Sequence, residues 1–270
     1  MNNQNDWGKV KLMIKKYIEM IHEELSVRWQ QWDKDLSKSE MYEVIGALLA
    51  RQVTLATQLA QAPAIWNGHI APIILRSMVD NYITLAWILK DPEERSQKFI
   101  SYGLGQEKLQ IEHRKARLKG KDNKEDPLIQ IKEDWLNTQH YSFLTEVNIG
   151  SWSGLATRQM AEQADCIDFY NLTYIPFSAA THNMWNHVER YNLTRCPNPL
   201  HRFHRIPIDL PIEIADVDYV YRAAKYVDKV FRLFDEFSQI RSRAVSAIKY
   251  LVCELEKIDQ SDSSSIEKEQ

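Results

Sequence analysis

The chain has 270 residues, a formal net charge of −3, 44% hydrophobic and 26% charged residues, which excludes a disordered chain and a uniformly basic nucleic-acid coat. Its 8 glycines and 9 prolines are too few for a protein of many short strands and tight turns. The scattered cysteines, Cys166, Cys196 and Cys253, predict no disulfide framework. No signal segment or bilayer-length apolar run occurs, so we expect a soluble cytoplasmic protein.

Apolar residues recur at spacings of three and four, which predicts helices along most of the chain. The predicted helices cover residues 9–35, 67–90, 93–119, 127–139, 155–164 and 168–191, and one more follows Ser37, carries Met41 to Leu59 and stops before Pro63. We expect a capping box formed by Ser37 and Glu40, a cap formed by Ser153, and a kink or restart at Pro176.

The last part of the chain divides into a loop, a helical stretch and a tail. Residues 192–211 are rich in proline and are predicted to be loop, with no strand pair anywhere in the chain. Residues 212–258 predict either one very long helix or two consecutive helices. We therefore expect an all-α fold, a single multi-helix bundle over 9–258, between a flexible segment 1–8 and a disordered acidic tail 259–270.

Arg76 and Asp80 lie one turn apart on the most apolar predicted helix. A charge on such a helix is costly unless it is paired, so we expect the two side chains to pair with each other or with a third polar group. Two interpretations stay open. One is a buried ion pair that fixes the helix register; the other is a site in which Asp80 orients a base or a ligand and Arg76 contacts an anion.

Ser178 and His182 show the same four-residue spacing on a later predicted helix. A hydroxyl and an imidazole on one face can activate a nucleophile or carry a proton, although a single histidine is also often a satisfied core residue. The hypothesis is a polar pocket between two core helices, formed by Arg76, Asp80, Ser178 and His182. In a catalytic pocket His182 would be the general base, and Arg76 would stabilise the developing negative charge.

Two stretches are rich in basic residues. The first, 113–124, is either a solvated helix end or a phosphate-binding segment. The second, 190–205, contains no acidic residue. Its positive side chains form the predicted anion-binding set: Arg190, Arg195, His201, Arg202, His204 and Arg205. Because Phe203 is interleaved with them, the stretch is typical of a segment that follows a phosphate backbone and stacks bases.

Trp152 begins a Trp-Ser-Gly segment before a predicted helix start, where free backbone N–H groups can receive an anion and Arg158 lies one turn inside. The alternative is a capped turn whose tryptophan is anchored in the core. For metals, the sequence has one Glu-x-x-His, from Glu19 to His22, whereas a di-iron bundle needs two such motifs and further glutamates. We therefore expect no metal site and no cofactor.

The order of these motifs resembles a widespread bacterial family of unknown function whose members are helical and often of about this length. The resemblance covers roughly residues 40–240 and rests on Arg-x-x-x-Asp at 76–80, Trp-Ile-Leu at 87–89, Trp-x-Gly at 152–154 and Tyr-x-x-x-Ser-x-x-x-His at 174–182. Asp80 stands where Glu is more usual, which shortens the reach of the carboxylate. The resemblance implies the fold and the site positions rather than a reaction.

The leading functional hypothesis is a cytoplasmic bacterial protein that recognises nucleic acid or another phosphate-bearing ligand. Its resemblance to defence-associated helical proteins implies a role in stress or phage defence. One alternative is a metal-independent HEPN-type ribonuclease or phosphoryl-transfer enzyme, although the closest Arg–His pair, Arg195 and His201, is predicted to lie in a loop. Another is an interaction module that pairs with a second copy through the C-terminal helix, whose apolar stripe is Phe231, Phe234 and Phe237.

Overall fold

The computed structural model describes residues 4–118, 126–138, 150–209 and 215–266, and within them the fold is almost entirely helical, as predicted. The α-helices are α1 (Gln4–Gln31), α2 (Ser39–Ala60), α3 (Ala71–Ile88), α4 (Pro92–Arg117), α5 (Pro127–Asn137), α6 (Thr157–Gln163), α7 (Ile167–Phe169), α8 (Ile175–Thr181), α9 (Trp185–Asn192), α10 (Asp218–Ser238) and α11 (Ala247–Ile266). Single 3-10 turns lie at Leu36–Lys38 and Pro63–Ile65. Strands β1 (Leu193–Arg195) and β2 (Arg205–Pro207) pair in antiparallel fashion.

Helix α3 is the central helix of the bundle, as its sequence predicts. It is apolar nearly all round, and Leu75, Met78 and Ile83 are fully buried. Helices α2, α8 and α10 pack around it, while α1 packs against α2 and α11. Because α3 contacts so many elements, a polar side chain buried on it must find a partner within the protein.

The connection between α1 and α2 differs from the predicted capping box of Ser37 and Glu40. The Asp35 carboxylate accepts hydrogen bonds from the backbone N–H and the hydroxyl of Ser37, at 2.9 and 2.7 Å. Asp35 thereby caps a 3-10 turn, and α2 begins only at Ser39. The predicted capping box is therefore wrong, because the backbone N–H of Ser37, which Glu40 would have to accept, is already bonded to Asp35.

The predicted cap at Ser153 is also wrong. The Ser153 side chain is buried, and its hydroxyl oxygen accepts the backbone N–H of Leu155 at 3.2 Å, which caps a turn and not the start of α6. Helix α6 starts later, at Thr157, where the backbone N–H of Ala156 donates to the Gln159 side chain at 2.9 Å. The sequence also predicts a polar loop over residues 120–126 and an irregular stretch over 141–154. Residues 120–125 and 141–149 of these lie outside the described residues.

The predicted helix 168–191 is divided into several pieces. A π-helical segment, Tyr170–Tyr174, precedes α8, so the helix restarts next to Pro176, as expected. A second break follows Thr181, because Asn183 adopts a left-handed conformation with a φ of 51°. The chain therefore leaves α8 at His182 and begins α9 in a new direction.

The C-terminal part resolves the alternatives that the sequence leaves open. Two separate helices, α10 and α11, are joined by residues 239–246, a segment that begins with a turn at Gln239, which has a φ of 57°. The expectation of no strand pair is wrong, since β1 and β2 form a hairpin within the predicted loop. Helix α11 continues to Ile266, past the predicted end at 258. Across the described residues, no helix combines the length and apolarity that a membrane crossing requires.

Candidate functional site

The Arg76 guanidinium is contacted on three sides at the interface between α3 and α8. Its Nε donates a 2.9 Å hydrogen bond to Ser178 Oγ, and its Nη1 pairs with the Asp80 carboxylate. Its face lies over the Tyr174 ring, 3.0 Å from the ring centroid. Ser178 Oγ in turn donates to the Tyr174 carbonyl oxygen at 2.7 Å. We call Arg76, Asp80, Tyr174 and Ser178 the Arg76 cluster.

Asp80 is the accessible member of the Arg76 cluster. Its side chain is 46% exposed, whereas that of Arg76 is 8% exposed. Partial burial raises the pKa of the Asp80 carboxyl above its usual value, and the positive charges of Arg76 and His182 act against this rise. The cluster therefore opens to solvent at Asp80 and is closed at its arginine.

His182 lies at the end of α8, beside the Arg76 cluster but not within it. Its backbone N–H donates to the Ser178 carbonyl oxygen at 3.0 Å, and its side chain is exposed. The Ser178 hydroxyl proton is directed at the Tyr174 carbonyl oxygen, so His182 is not placed to accept it. The structure thus brings Arg76, Asp80 and Ser178 into contact and leaves His182 as a neighbour of Asp80.

The basic hairpin, residues 193–207, follows α9 directly and carries most of the predicted anion-binding set. Arg195 and Arg205 are register partners across the two strands, so two like charges face one another. Glu189 on α9 pairs with Arg205. This one pair leaves the hairpin with an excess of positive charge, since Arg195, Arg202 and Arg205 oppose a single acid there.

The loop of the basic hairpin presents apolar side chains to solvent beside its cations. Phe203 is 96% exposed and Leu200 is 86% exposed. His201, Arg202 and His204 are also exposed. An aromatic ring that contacts no part of the core can stack on a planar ligand without any rearrangement of the protein.

A polar cavity lies between α8, α9 and the start of α10. Its volume is about 390 Å³, and its lining includes Arg190, Tyr191 and Arg222 together with two aspartates, Asp216 and Asp218. The Tyr191 ring also packs against His69, with ring centroids 5.0 Å apart, and against His187, at 4.7 Å. The sequence indicated Arg190 as a candidate but not this cavity. The sequence pattern that could have indicated the cavity is the four-residue spacing of His187 and Tyr191, which places two aromatic rings on one helix face.

Trp152 lies at the other end of α3 from Arg76, whereas Arg158 follows Thr157, whose hydroxyl accepts a 3.3 Å hydrogen bond from Tyr174 of the Arg76 cluster. Trp152 packs edge-on against Trp87, with ring centroids 5.3 Å apart, and Trp87 is about 16 Å along the helix from Arg76. Arg158 Nε donates to Glu162 at 3.1 Å, and both side chains are exposed. This geometry favours the capped turn with a core tryptophan over an anion site, because α6 is a helix of only seven residues.

In the first basic stretch, 113–124, Arg114 and Lys115 have acidic partners. Arg114 Nε donates to Asp126 at 2.9 Å, and Lys115 pairs with Glu112 and Glu133 at 3.0 and 2.8 Å. Hydrogen bonds from Lys115 to these two glutamates raise the pKa of its ammonium group. The remaining lysines of the stretch, from 119 onward, lie outside the described residues. A solvated helix end accounts for the described part.

Comparison with known proteins gives one family. Residues 42–198 match the model of a family of unknown function, DUF5677. The matched region begins inside α2 and contains α3 to α9, the whole Arg76 cluster, His182 and strand β1, and it ends within the loop of the basic hairpin. No curated protein and no solved structure matches the chain.

Proposed function

The chain belongs to DUF5677, a family of unknown function, and from that premise we propose that it binds single-stranded nucleic acid through the basic hairpin. The observation that carries the proposal is the side chain of Phe203, 96% exposed at the hairpin tip among arginines and histidines. Base stacking on an aromatic ring, combined with cations that follow the backbone, is the usual mode of single-strand binding.

The charge arrangement of the hairpin supports a polyanionic ligand. Arg195 and Arg205 repel one another across the strands, and Glu189 neutralises only one of them. A phosphate group placed between the two guanidinium groups would remove this repulsion and accept hydrogen bonds from both. Bound phosphate would therefore lower the electrostatic energy of the hairpin.

The neighbouring polar cavity extends the same surface. Arg190 and Tyr191 line the cavity, and the chain runs from them through Asn192 directly into β1. A strand stacked on Phe203 therefore has a second polar and aromatic site along its path, in which Arg190 offers a cation while Arg222 is paired with Asp218. This continuity favours an extended nucleic acid over a single small phosphate ester.

The proposal is tested by the fluorescence anisotropy of a labelled single-stranded RNA, and of DNA of the same sequence, over a series of salt concentrations. We expect Phe203→Ala to weaken binding by about 1–3 kcal/mol, roughly 5- to 150-fold, through lost stacking. Arg195→Ala should reduce the slope of log affinity against log salt by about 1. Leu12→Ala and Arg158→Ala, which change exposed side chains elsewhere, are the controls.

Binding that is insensitive to salt would exclude contacts with the phosphate backbone. Equal losses in Phe203→Ala and Leu12→Ala would exclude stacking at the hairpin tip. Binding of RNA and DNA with the same affinity would show that the hairpin does not use the 2′-hydroxyl.

A second function is favoured by one observation, the half-exposed Asp80 beside His182. We propose as the alternative a metal-independent cleavage or transfer of a phosphoryl group, with His182 as general base and Asp80 as the group that orients it. Arg76 then acts by holding Asp80, because its guanidinium is already contacted on three sides. His182→Ala should abolish RNA cleavage while the affinity for RNA stays unchanged, with His113→Ala as the control. Cleavage that persists in His182→Ala would exclude this role.

The cellular context is a further proposal that depends on resemblance alone. A cytoplasmic bacterial protein of stress or phage defence that binds single-stranded nucleic acid would act on the transcripts or the exposed strands of an invading genome. Survival of a phage challenge by cells with the native gene, compared with cells carrying Phe203→Ala, tests this role. Equal survival would exclude a defence role that uses the hairpin.

A further inference from the structure

The loop of the basic hairpin brings three metal-ligating side chains together. Cys196, His201 and His204 each offer one ligand atom, and these atoms all lie within 4.8 Å of one another. Cys196 Sγ is 3.7 Å from His201 Nδ1. In a tetrahedral zinc site, Zn–S bonds of about 2.3 Å and Zn–N bonds of about 2.0 Å place the sulfur and nitrogen about 3.5 Å apart. The observed spacing is thus close to that of two ligands on one ion.

The backbone of the loop holds these side chains in place. The Cys196 N–H donates to the His204 carbonyl oxygen at 3.0 Å, and the His204 N–H donates to the His201 carbonyl oxygen at 3.1 Å. The His201 N–H donates to the Asn198 carbonyl oxygen at 3.0 Å. The Asn198 side-chain nitrogen lies 3.3 Å from His201 Nε2, and the ring has its Nδ1 toward the cysteine. A metal bound through Nδ1 leaves the ring proton on Nε2, so the Asn198 amide must then present its oxygen to this nitrogen. Two prolines in the loop restrict its backbone further.

We propose that Cys196, His201 and His204 bind a divalent metal ion of the zinc class. A thiolate and two imidazoles form a ligand set that suits zinc, and three protein ligands leave a fourth position for water or an exchangeable group. Phe203 lies between two of the ligands in sequence, so a bound ion fixes the segment that presents the ring. The proposal does not depend on nucleic-acid binding, because the ligand set is complete within the hairpin.

No metal site was expected from the sequence, because it has no Cys-x-x-Cys motif and only one Glu-x-x-His motif, and His182 and His187 lie on different faces of their predicted helix. The set found here is Cys-x4-His-x2-His. That spacing becomes informative only when the chain reverses between Cys196 and His204. The pairing of β1 with β2 supplies this reversal.

The test uses the full chain, reduced and stripped of metal with a chelator, and titrated with Co²⁺ as a spectroscopic probe for zinc. We expect one Co²⁺ per chain, visible absorption of a tetrahedral site, and a thiolate-to-cobalt charge-transfer band, all removed by added Zn²⁺. Cys196→Ser should lose the charge-transfer band. His201→Ala and His204→Ala should each weaken Co²⁺ binding by at least about tenfold.

Cys253→Ser is the matched control, because Cys253 is an exposed free cysteine on α11. Cys166, the third cysteine, does not compete for Co²⁺, because burial raises the pKa of its thiol to about 11 and metal binding needs the thiolate. Phe203→Ala should keep the cobalt spectrum while losing nucleic-acid affinity. The metal site and the nucleic-acid site can therefore be tested, and excluded, independently of one another. The metal site is excluded if the native chain gives no saturable tetrahedral cobalt spectrum, or if Cys196→Ser binds Co²⁺ as the native chain does.

Discussion

Two arginines with the same local pairing differ in what surrounds them. Arg76 and Arg158 each pair with an acid four residues later, Asp80 and Glu162. The Arg76 side chain is 8% exposed and that of Arg158 is 62% exposed. A buried guanidinium has lost its hydration, so its protein partners must satisfy its donors, whereas an exposed one keeps its water.

We therefore expect Arg76→Ala to lower the free energy of unfolding by about 2–4 kcal/mol, through a cavity and the lost contacts with Ser178 and Tyr174. Asp80 adds little to this cost, because it is half exposed and stays hydrated. Arg158→Ala is the matched control and should change the free energy by about 0–0.5 kcal/mol. Urea denaturation of both variants provides the measurement. Similar losses in the two variants would mean that the Arg76 cluster does not hold α8 against α3.

The sequence predicted only part of this cluster from physical chemistry. The pairing of Arg76 with Asp80 follows from helical spacing and the cost of a lone charge, and both are local properties. Ser178 is 102 residues from Arg76 along the chain, so its contact depends on how α8 packs on α3. No pattern of spacing contains that information. The resemblance to a family indicated the position but not the direction of the hydroxyl.

At the scale of elements, helix interiors were predictable and helix ends were not. Apolar periodicity predicted α3 and α10 because each buries a continuous stripe. The π-helical segment and the break at Asn183 carry no apolar signal, since both depend on backbone conformation. Strands β1 and β2 escaped prediction because each has three residues, too few to show alternation.

Two glutamines at helix C-termini show how the backbone determines the effect of a substitution. Gln239 ends α10 with a φ of 57°, whereas Gln61 ends α2 with a φ of −79°. A side chain in the left-handed region is strained, and glycine relieves that strain at the end of a helix. In the right-handed region glycine relieves nothing and only increases the freedom of the unfolded chain.

Gln239→Gly should therefore raise the free energy of unfolding by about 0.5–1 kcal/mol. Gln61→Gly should lower it by a similar amount. The loss of the contact from Gln239 Nε2 to the Glu236 carbonyl oxygen is small, because that contact is exposed to water. Thermal unfolding of the two variants under the same conditions measures whether each substitution raises or lowers the free energy of unfolding. A decrease for Gln239→Gly would contradict the link between this turn and backbone strain.

At the scale of the whole molecule, the helices outside the matched region 42–198 belong to the same core as those within it. The Gln52 side-chain amide on α2 donates to the Tyr226 carbonyl oxygen on α10 at 3.2 Å. Phe231 and Phe234 are buried in that core, so the predicted stripe of phenylalanines is largely used within the chain. Pairing of two copies through the C-terminal helix stays a prediction, which would have to use the outer face of α11.

One buried network ties α1 to both C-terminal helices. Arg28 on α1 donates to the Asp235 carboxylate on α10 through Nε and Nη2, at 2.8 and 2.9 Å. Its Nη1 donates to Glu24 at 2.9 Å, and Glu24 also accepts the backbone N–H of Ala247 at 2.7 Å. Glu24 thus caps the start of α11 from 223 residues away in the sequence, a contact that no local pattern predicts.

Glu24→Ala should lower the free energy of unfolding by about 2–4 kcal/mol, because it leaves a buried guanidinium with one partner fewer and the Ala247 N–H without its acceptor. Glu19→Ala, which removes the exposed partner of Lys16 on the same helix, should change it by about 0–0.5 kcal/mol. Urea denaturation followed by both far-ultraviolet and tryptophan signals should show one cooperative transition in each variant. Two separate transitions in Glu24→Ala would mean that α11 unfolds independently of the bundle, and that the matched region is stable without the cap from α1.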